Sequence, residues 1–165
     1  MTEVEIRKAS EGDWEAIWPI FRAIVVRGDT YAYPVDTGET EARAIWLEKP
    51  AATYVALRGQ EIVGTYYLKP NQPGQGSHVC NAGYMVGSAA RGLGVGRSMC
   101  RHSLGEATRL GFSAMQYNLV ASTNARALAI WKAHGFEVVG TLPRAFRHPE
   151  HGLVDALILY RLLES

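Results

Sequence analysis

The chain has 165 residues, which favours one compact domain built on a single core. Its 47% hydrophobic and 20% charged residues match an ordinary globular protein and exclude a disordered one. The formal charge is +1 and no basic run interleaves with aromatics, which argues against a nucleic-acid surface.

The longest apolar runs are far shorter than a membrane span. Met1-Thr2-Glu3-Val4-Glu5 is neither a basic leader nor an apolar one, so no secretory signal is expected. Cys80 and Cys100 have no metal-ligand spacing and read as reduced thiols of a cytoplasmic protein.

In chain order, Val4 to Lys8 alternates apolar and charged residues and predicts a first strand. Ser10 predicts an N-cap with Asp13 as its capping-box partner. Trp14, Ile17, Trp18, Phe21 and Val25 then recur at helical spacing, with a kink or break expected at Pro19. Arg27 to Glu39 predicts a loop carrying Tyr31 and Tyr33, and Thr40 to Glu48 a short second helix.

Thr53–Leu57 and Ile62–Leu68 predict a hairpin turning at Arg58-Gly59-Gln60-Glu61. Lys69 to Ser77, with two prolines and two glycines, predicts a loop, and His78 to Val86 a long strand. A glycine-rich turn leads into a helix from about Val95 to Leu110, stopped by Gly111. Phe112 to Val120 predicts a strand, and Ser122 or Asn124 caps a helix ending at Gly135. Phe136–Leu142 and Leu153–Leu162 predict two closing strands around a Pro/Gly/His loop. The expected fold is α/β (α+β): one mixed sheet of about seven strands with helices on both faces.

The most informative stretch is Met85-Val86-Gly87-Ser88-Ala89-Ala90-Arg91-Gly92-Leu93-Gly94-Val95-Gly96-Arg97, between a strand and a helix. Glycines there let the backbone approach a ligand, and the unpaired amides at a helix start favour an anion. A P-loop is excluded because Gly96 is followed by Arg97-Ser98 and the glycine spacing is wrong. G-x-G-x-x-G also fails, since the sixth position is Arg97 counted from Gly92 and Met99 counted from Gly94. What remains is Arg-x-x-Gly-x-Gly at Arg91, Gly94 and Gly96, with a glycine turn holding no ligand as the alternative.

This pattern resembles the GCN5-related N-acetyltransferase superfamily. Its signature is met by Val86, Arg91, Gly94 and Gly96, although Ser88 stands where proline is usual. A second signature runs from Asn124 through Trp131 to Gly135-Phe136. A narrower similarity is to the acetyltransferases of L-azetidine-2-carboxylate and other proline-like imino acids. It rests on Lys69-Pro70-Asn71-Gln72-Pro73-Gly74, Ser77-His78-Val79-Cys80-Asn81-Ala82-Gly83 and Asn118-Leu119-Val120.

The resemblance implies a mostly antiparallel sheet and an acetyl-CoA-dependent transfer to a small-molecule amine, with no metal. It places the cofactor against Met85, Val86, Arg91, Gly92, Leu93, Gly94, Val95, Gly96, Arg97, Asn124 and Trp131. It places the acceptor against Asn81, Asn118, Leu119, Tyr31 and Tyr33, with Val86, Asn81 and Asn118 at the reacting centre. An amide near Val86 would stabilise the developing oxyanion.

Several roles stay open. His78 reads either as a base or as a solvated strand-end histidine, and Cys80 as a core residue in preference to a nucleophile. Asn81 and Asn118 read as acceptor ligands or as amides bridging a bulge. Trp131 occupies the place of the superfamily's proton-donating tyrosine, and its indole N–H is too weak an acid for that role. His148 and His151 sit in a loop without further metal ligands. Competing readings are acetylation of a xenobiotic, polyamine or protein N-terminus, and a non-catalytic acyl-CoA sensor. A homodimer is compatible with the sequence.

Overall fold

The computed structural model describes residues 3–164. One sheet of seven strands runs in the order β1-β2-β3-β4-β5-β7-β6. These are β1 Val4–Lys8, β2 Ala52–Arg58, β3 Glu61–Pro70, β4 Val79–Val86, β5 Ala114–Ala121, β6 Glu137–His148 and β7 Gly152–Leu162. All neighbours are antiparallel except β4 and β5, which are parallel. The mixed, mostly antiparallel sheet expected from the sequence is present.

Helices cover both faces. On one side lie α1 Trp14–Val25 and α2 Glu39–Arg43, the latter continuing as a wider π-type turn through Glu48. Ile17, Phe21 and Trp46 pack there on Val55, Tyr67 and Met85. On the other lie α3 Val95–Arg109 and α4 Ala125–Ala133, with Met99 and Cys100 against Tyr66, Cys80 and Met115. The register of β3 on β4 is unbroken from Gly64↔Val86 to Pro70↔Cys80. Side chains therefore alternate cleanly over this stretch, and its odd-numbered residues on both strands face α1.

Asp13 shows why α1 starts where it does. Its carboxylate accepts from the Ser10 amide at 2.7 Å and from both ends of the Arg7 guanidinium at 2.7 and 3.0 Å. That ion pair holds the Asp13 carboxyl down at about 2.

Four expectations are corrected. Of the kink or break expected at Pro19, the break is absent, and α1 runs through the proline. Pro19 and Glu15 are both exposed, so the carbonyl that loses its helical donor can turn to water. Lys69 and Pro70 belong to β3, paired with Asn81 and Cys80, and the loop starts after them. His78 lies in a turn and not in β4. The long segment before β7 is mostly strand, because Pro143 sits on edge strand β6 at an irregularity between Leu142 and Phe146. Arg144 takes a φ of 54° there, with its amide donating to Asp155 Oδ1 at 2.9 Å.

Candidate active site

The parallel pairing of β4 with β5 consists of Val79↔Ala114 and Cys80↔Met115, after which the strands part. Beyond that point β4 faces the gap with backbone that β5 does not pair. The Gly87 amide donates to Val63 O on β3 at 2.8 Å. Successive amides of a strand point to opposite sides, so the amides of Val86 and Tyr84 are directed into the gap. The same parting leaves a cleft of about 1390 Å³ between the strands.

The end of the cleft toward α3 and α4 suits a phosphorylated ligand. Gly92 and Gly94 have φ of 78° and 81°, and Gly94 is the N-cap of α3. The first bond within this helix is Ser98 N–H to Gly94 O at 3.0 Å. The amides of Val95, Gly96 and Arg97 are thus unpaired within the helix, at the positive end of its dipole. A Cβ at Gly96 would stand 3.5 Å from Ile130 and 3.8 Å from Val86, projecting into the cleft. Arg91, Arg97 and Arg126 line the same end. Backbone donors, a Cβ-free approach and three guanidinium groups fit the pyrophosphate of coenzyme A. Asn124 caps α4, its Oδ1 accepting from the Ala127 amide at 3.4 Å.

The other end, toward α1, is aromatic. Tyr31 stacks on Tyr33 with ring centroids 5.6 Å apart, and Trp46 meets Tyr67 edge-on at 4.8 Å. Tyr67 fits against the sheet because its β4 neighbour is Gly83, where a Cβ would come within 2.6 Å of the ring. The Tyr31 hydroxyl accepts from the Tyr84 amide and donates to the Tyr84 carbonyl, both at 2.7 Å. Thr30 Oγ1, beside it, is the one buried side-chain oxygen among the described residues without a partner.

Asn81 is 8% exposed and spans the parting strands. Its Nδ2 donates to the Gln116 carbonyl on β5 at 2.9 Å and its Oδ1 accepts from Tyr67 at 2.8 Å. Asn118 is exposed at a bulge of β5 between Tyr117 and Val120. Its Oδ1 accepts from Gln116 at 3.0 Å and its Nδ2 donates to Asn71 at 2.7 Å.

Between the two ends, three hydroxyls form a directed chain. Ser103 donates to the Cys100 carbonyl at 2.7 Å, so it accepts from Tyr84 at 2.6 Å. Tyr84 in turn accepts from Tyr117 at 2.9 Å. Burial raises both phenols well above their ordinary range. Trp131 covers Tyr117 with ring centroids 4.6 Å apart. Cys80 and Cys100 are buried, and burial pushes both thiols up to about 12, leaving them inert as nucleophiles.

Most residues assigned from the sequence line this one cleft: Tyr31, Tyr33, Asn81, Val86, Arg91, Gly92, Gly94, Val95, Gly96, Arg97, Asn118, Leu119, Asn124 and Trp131. Met85 and Leu93 do not. The Met85 side chain is 1% exposed in the core under α1, and Leu93 is 50% exposed outside the cleft. His78 is exposed and lies outside the cleft lining, while His148 Nδ1 accepts the Glu150 and His151 amides of the β6–β7 turn. Sequence reasoning missed Arg27, Tyr67, Lys69, Tyr84, Tyr117 and Arg126. The alternation of β3 could have shown Tyr67 and Lys69 on the face of Asn81, had the strand been extended past Leu68.

Comparison with known proteins agrees with this geometry. A GCN5-related N-acetyltransferase from Kribbella flavida superposes with a TM-score of 0.93 at 42% identity, covering 97% of this chain and 98% of that one. The N-acetyltransferase aca1 of Schizosaccharomyces pombe is 39% identical over 98 residues, 59% of this chain and 47% of that protein. The chain thus spans about half the length of this curated relative. The L-amino acid N-acetyltransferase AaaT of Escherichia coli is 28% identical, covering 98% of this chain and 99% of that protein. Residues 14–136 match the acetyltransferase (GNAT) family, and the chain belongs to it.

Proposed function

We propose that this chain transfers an acetyl group from acetyl-CoA to the amine of a small amino or imino acid, by direct attack in a ternary complex. The observation that carries this reading is the single cleft through the parted strands. It joins a phosphate-binding helix start on one face of the sheet to an aromatic chamber on the other. The similarity to a relative named for L-amino acids supports the acceptor class.

The acceptor nitrogen enters from the α1 side, where Tyr31, Tyr33 and Asn81 shape the chamber. As it attacks, the carbonyl oxygen gains charge, and a β4 amide directed into the gap offers the matching donor, foremost Val86 N–H. The nitrogen–carbon bond forms, the carbon–sulfur bond breaks, and the CoA thiolate leaves toward Trp131. Much of the acceleration comes from holding the two reactants together.

No Asp, Glu or His is among the described residues that line the cleft. Burial raises Tyr31, Tyr67, Tyr84 and Tyr117, so these phenols are not bases near neutrality. The amine proton therefore leaves to water, and water returns one to the thiolate.

The absence of an acid at Trp131 favours a second reading, a non-catalytic acyl-CoA sensor. The test is thiol release by the purified chain with acetyl-CoA and a panel of amines. Turnover with amino or imino acids is expected. Turnover with polyamines or xenobiotics alone would replace the acceptor class, and binding without turnover would establish the sensor.

Buried free thiols suit the reducing cytoplasm. Val138, Val139, Leu142 and Leu153, exposed on the β6–β7 hairpin, suit a homodimer, which sedimentation would detect. No helix among the described residues is long and apolar enough to cross a membrane.

A further inference from the structure

Among the described residues, the charged groups lining the cleft are Arg27, Lys69, Arg91, Arg97 and Arg126, all of them cations. With a formal charge of only +1 on the chain, this is a local concentration and not a general excess. Three of the five stand near the helix starts that suit coenzyme A. Arg27 and Lys69 belong to the opposite face, with the aromatic chamber. Arg27 is already paired with Asp29 at 3.3 Å. Lys69 makes no ion pair among the described residues.

Lys69 is also held in place. Its backbone is paired with Asn81 near the end of β3, on the same side of the sheet as Tyr67 and Asn81. Its Nζ stands 5.2 Å from the centroid of the Tyr67 ring. That ring is fixed by its hydroxyl on Asn81 and by the missing Cβ of Gly83. Tyr67 and Lys69 pair with Gly83 and Asn81, so the ammonium, the Tyr67 ring and Asn81 lie together on the wall of the cleft. Asn81 has its oxygen and one amide hydrogen committed to Tyr67 and Gln116, and Asn118 is tied to Asn71 and Gln116. Neither asparagine has a carboxylate-binding pair of donors to spare.

We propose that Lys69 is the docking point for the acceptor's carboxylate, and that it sets the preference for amines bearing an adjacent carboxylate over neutral ones. The inference rests on the reading that the chain acetylates a small amine, and it deepens that reading by naming the group recognised. A compact ammonium at the chamber wall, facing no anion among the described residues, offers a point charge to a carboxylate that arrives with its amine toward the gap.

The test compares each amino or imino acid with its own carboxamide, for example L-proline with L-prolinamide, using the purified full chain and acetyl-CoA. The native chain should prefer the acid. In Lys69→Met, KM for the acid should rise roughly ten- to hundredfold, the range of a lost charge-assisted hydrogen bond. KM for the amide and the Kd for acetyl-CoA should stay within about twofold, and Lys69→Arg should restore most of the preference. An equal loss on acid and amide, or no loss on either, overturns the assignment while the acetyltransferase reading stands. Lys69 is partly exposed, so the variants should fold, and an unchanged acetyl-CoA Kd reports that they have. Turnover of uncharged amines alone by the native chain overturns the Lys69 role and the amino-acid acceptor together. Turnover of no amine at all overturns the acetyltransferase reading itself.

Discussion

The Tyr31 hydroxyl lies 2.7 Å from both the amide nitrogen and the carbonyl oxygen of Tyr84, taking a hydrogen from one and giving its own to the other. One side-chain atom thus satisfies both polar groups that β5 would pair if the strands had not parted. It also ties the loop between α1 and α2 to the backbone from which the Val86 amide projects. Tyr31 is therefore a positioning residue, and its raised pKa keeps the hydroxyl protonated in this role.

Tyr31→Phe keeps the ring against Tyr33 and removes both bonds. Acceptor kcat/KM should fall roughly five- to hundredfold, the equivalent of about 1–3 kcal/mol for polar groups left unpaired. The Kd for acetyl-CoA should change little. Steady-state kinetics beside calorimetry checks this, and an unchanged kcat/KM would show that the pairing is dispensable.

Two glycines of the turn should respond differently to alanine. Gly94→Ala places a side chain at φ 81°, which costs about 1–2 kcal/mol of backbone strain and should lower the melting temperature. Gly96→Ala meets only ordinary contacts at 3.5 and 3.8 Å, so stability should hold. Its methyl enters the cleft between Val86 and Ile130, and acetyl-CoA binding should weaken about tenfold or more. Equal cofactor affinity in Gly96→Ala and the native chain would remove this turn from the cofactor site.

The two asparagines should also separate. Asn81→Ala leaves the Tyr67 hydroxyl and the Gln116 carbonyl without partners in a buried place, so thermal stability should fall by about 1–3 kcal/mol along with activity. Asn118 is exposed, and Asn118→Ala should leave stability within about 0.5 kcal/mol. Any effect there should fall on acceptor kinetics. Denaturation curves and kinetics of both variants decide this, and a stable Asn81→Ala would contradict the bracing role.

Without a cleft-lining base, the pH profile should belong to the acceptor. As pH rises, kcat/KM should climb tenfold per unit until the acceptor amine's own pKa and then level. Acceptors with less basic amines should level at lower pH. A plateau at one fixed pH for acceptors of different basicity would reveal an enzyme base.

Much of this protein was legible from its residues. The alternation of Val4–Lys8, the helical spacing from Trp14 to Val25 and the glycines at 92 and 94 each encode their own local conformation, because period and positive φ are properties of short segments. The two family signatures named the fold from the same local record. Local signals misplaced the end of β3 and the course of β6, since Pro70 and Pro143 read as breakers until their place in the sheet is known. The parting of β4 from β5, the Tyr31 contact with Tyr84 and the isolation of Lys69 among cations were decided by tertiary structure alone. Each joins residues distant in sequence, and whether a hydroxyl, an amide or an ammonium is committed or free depends on which distant groups the fold brings beside it.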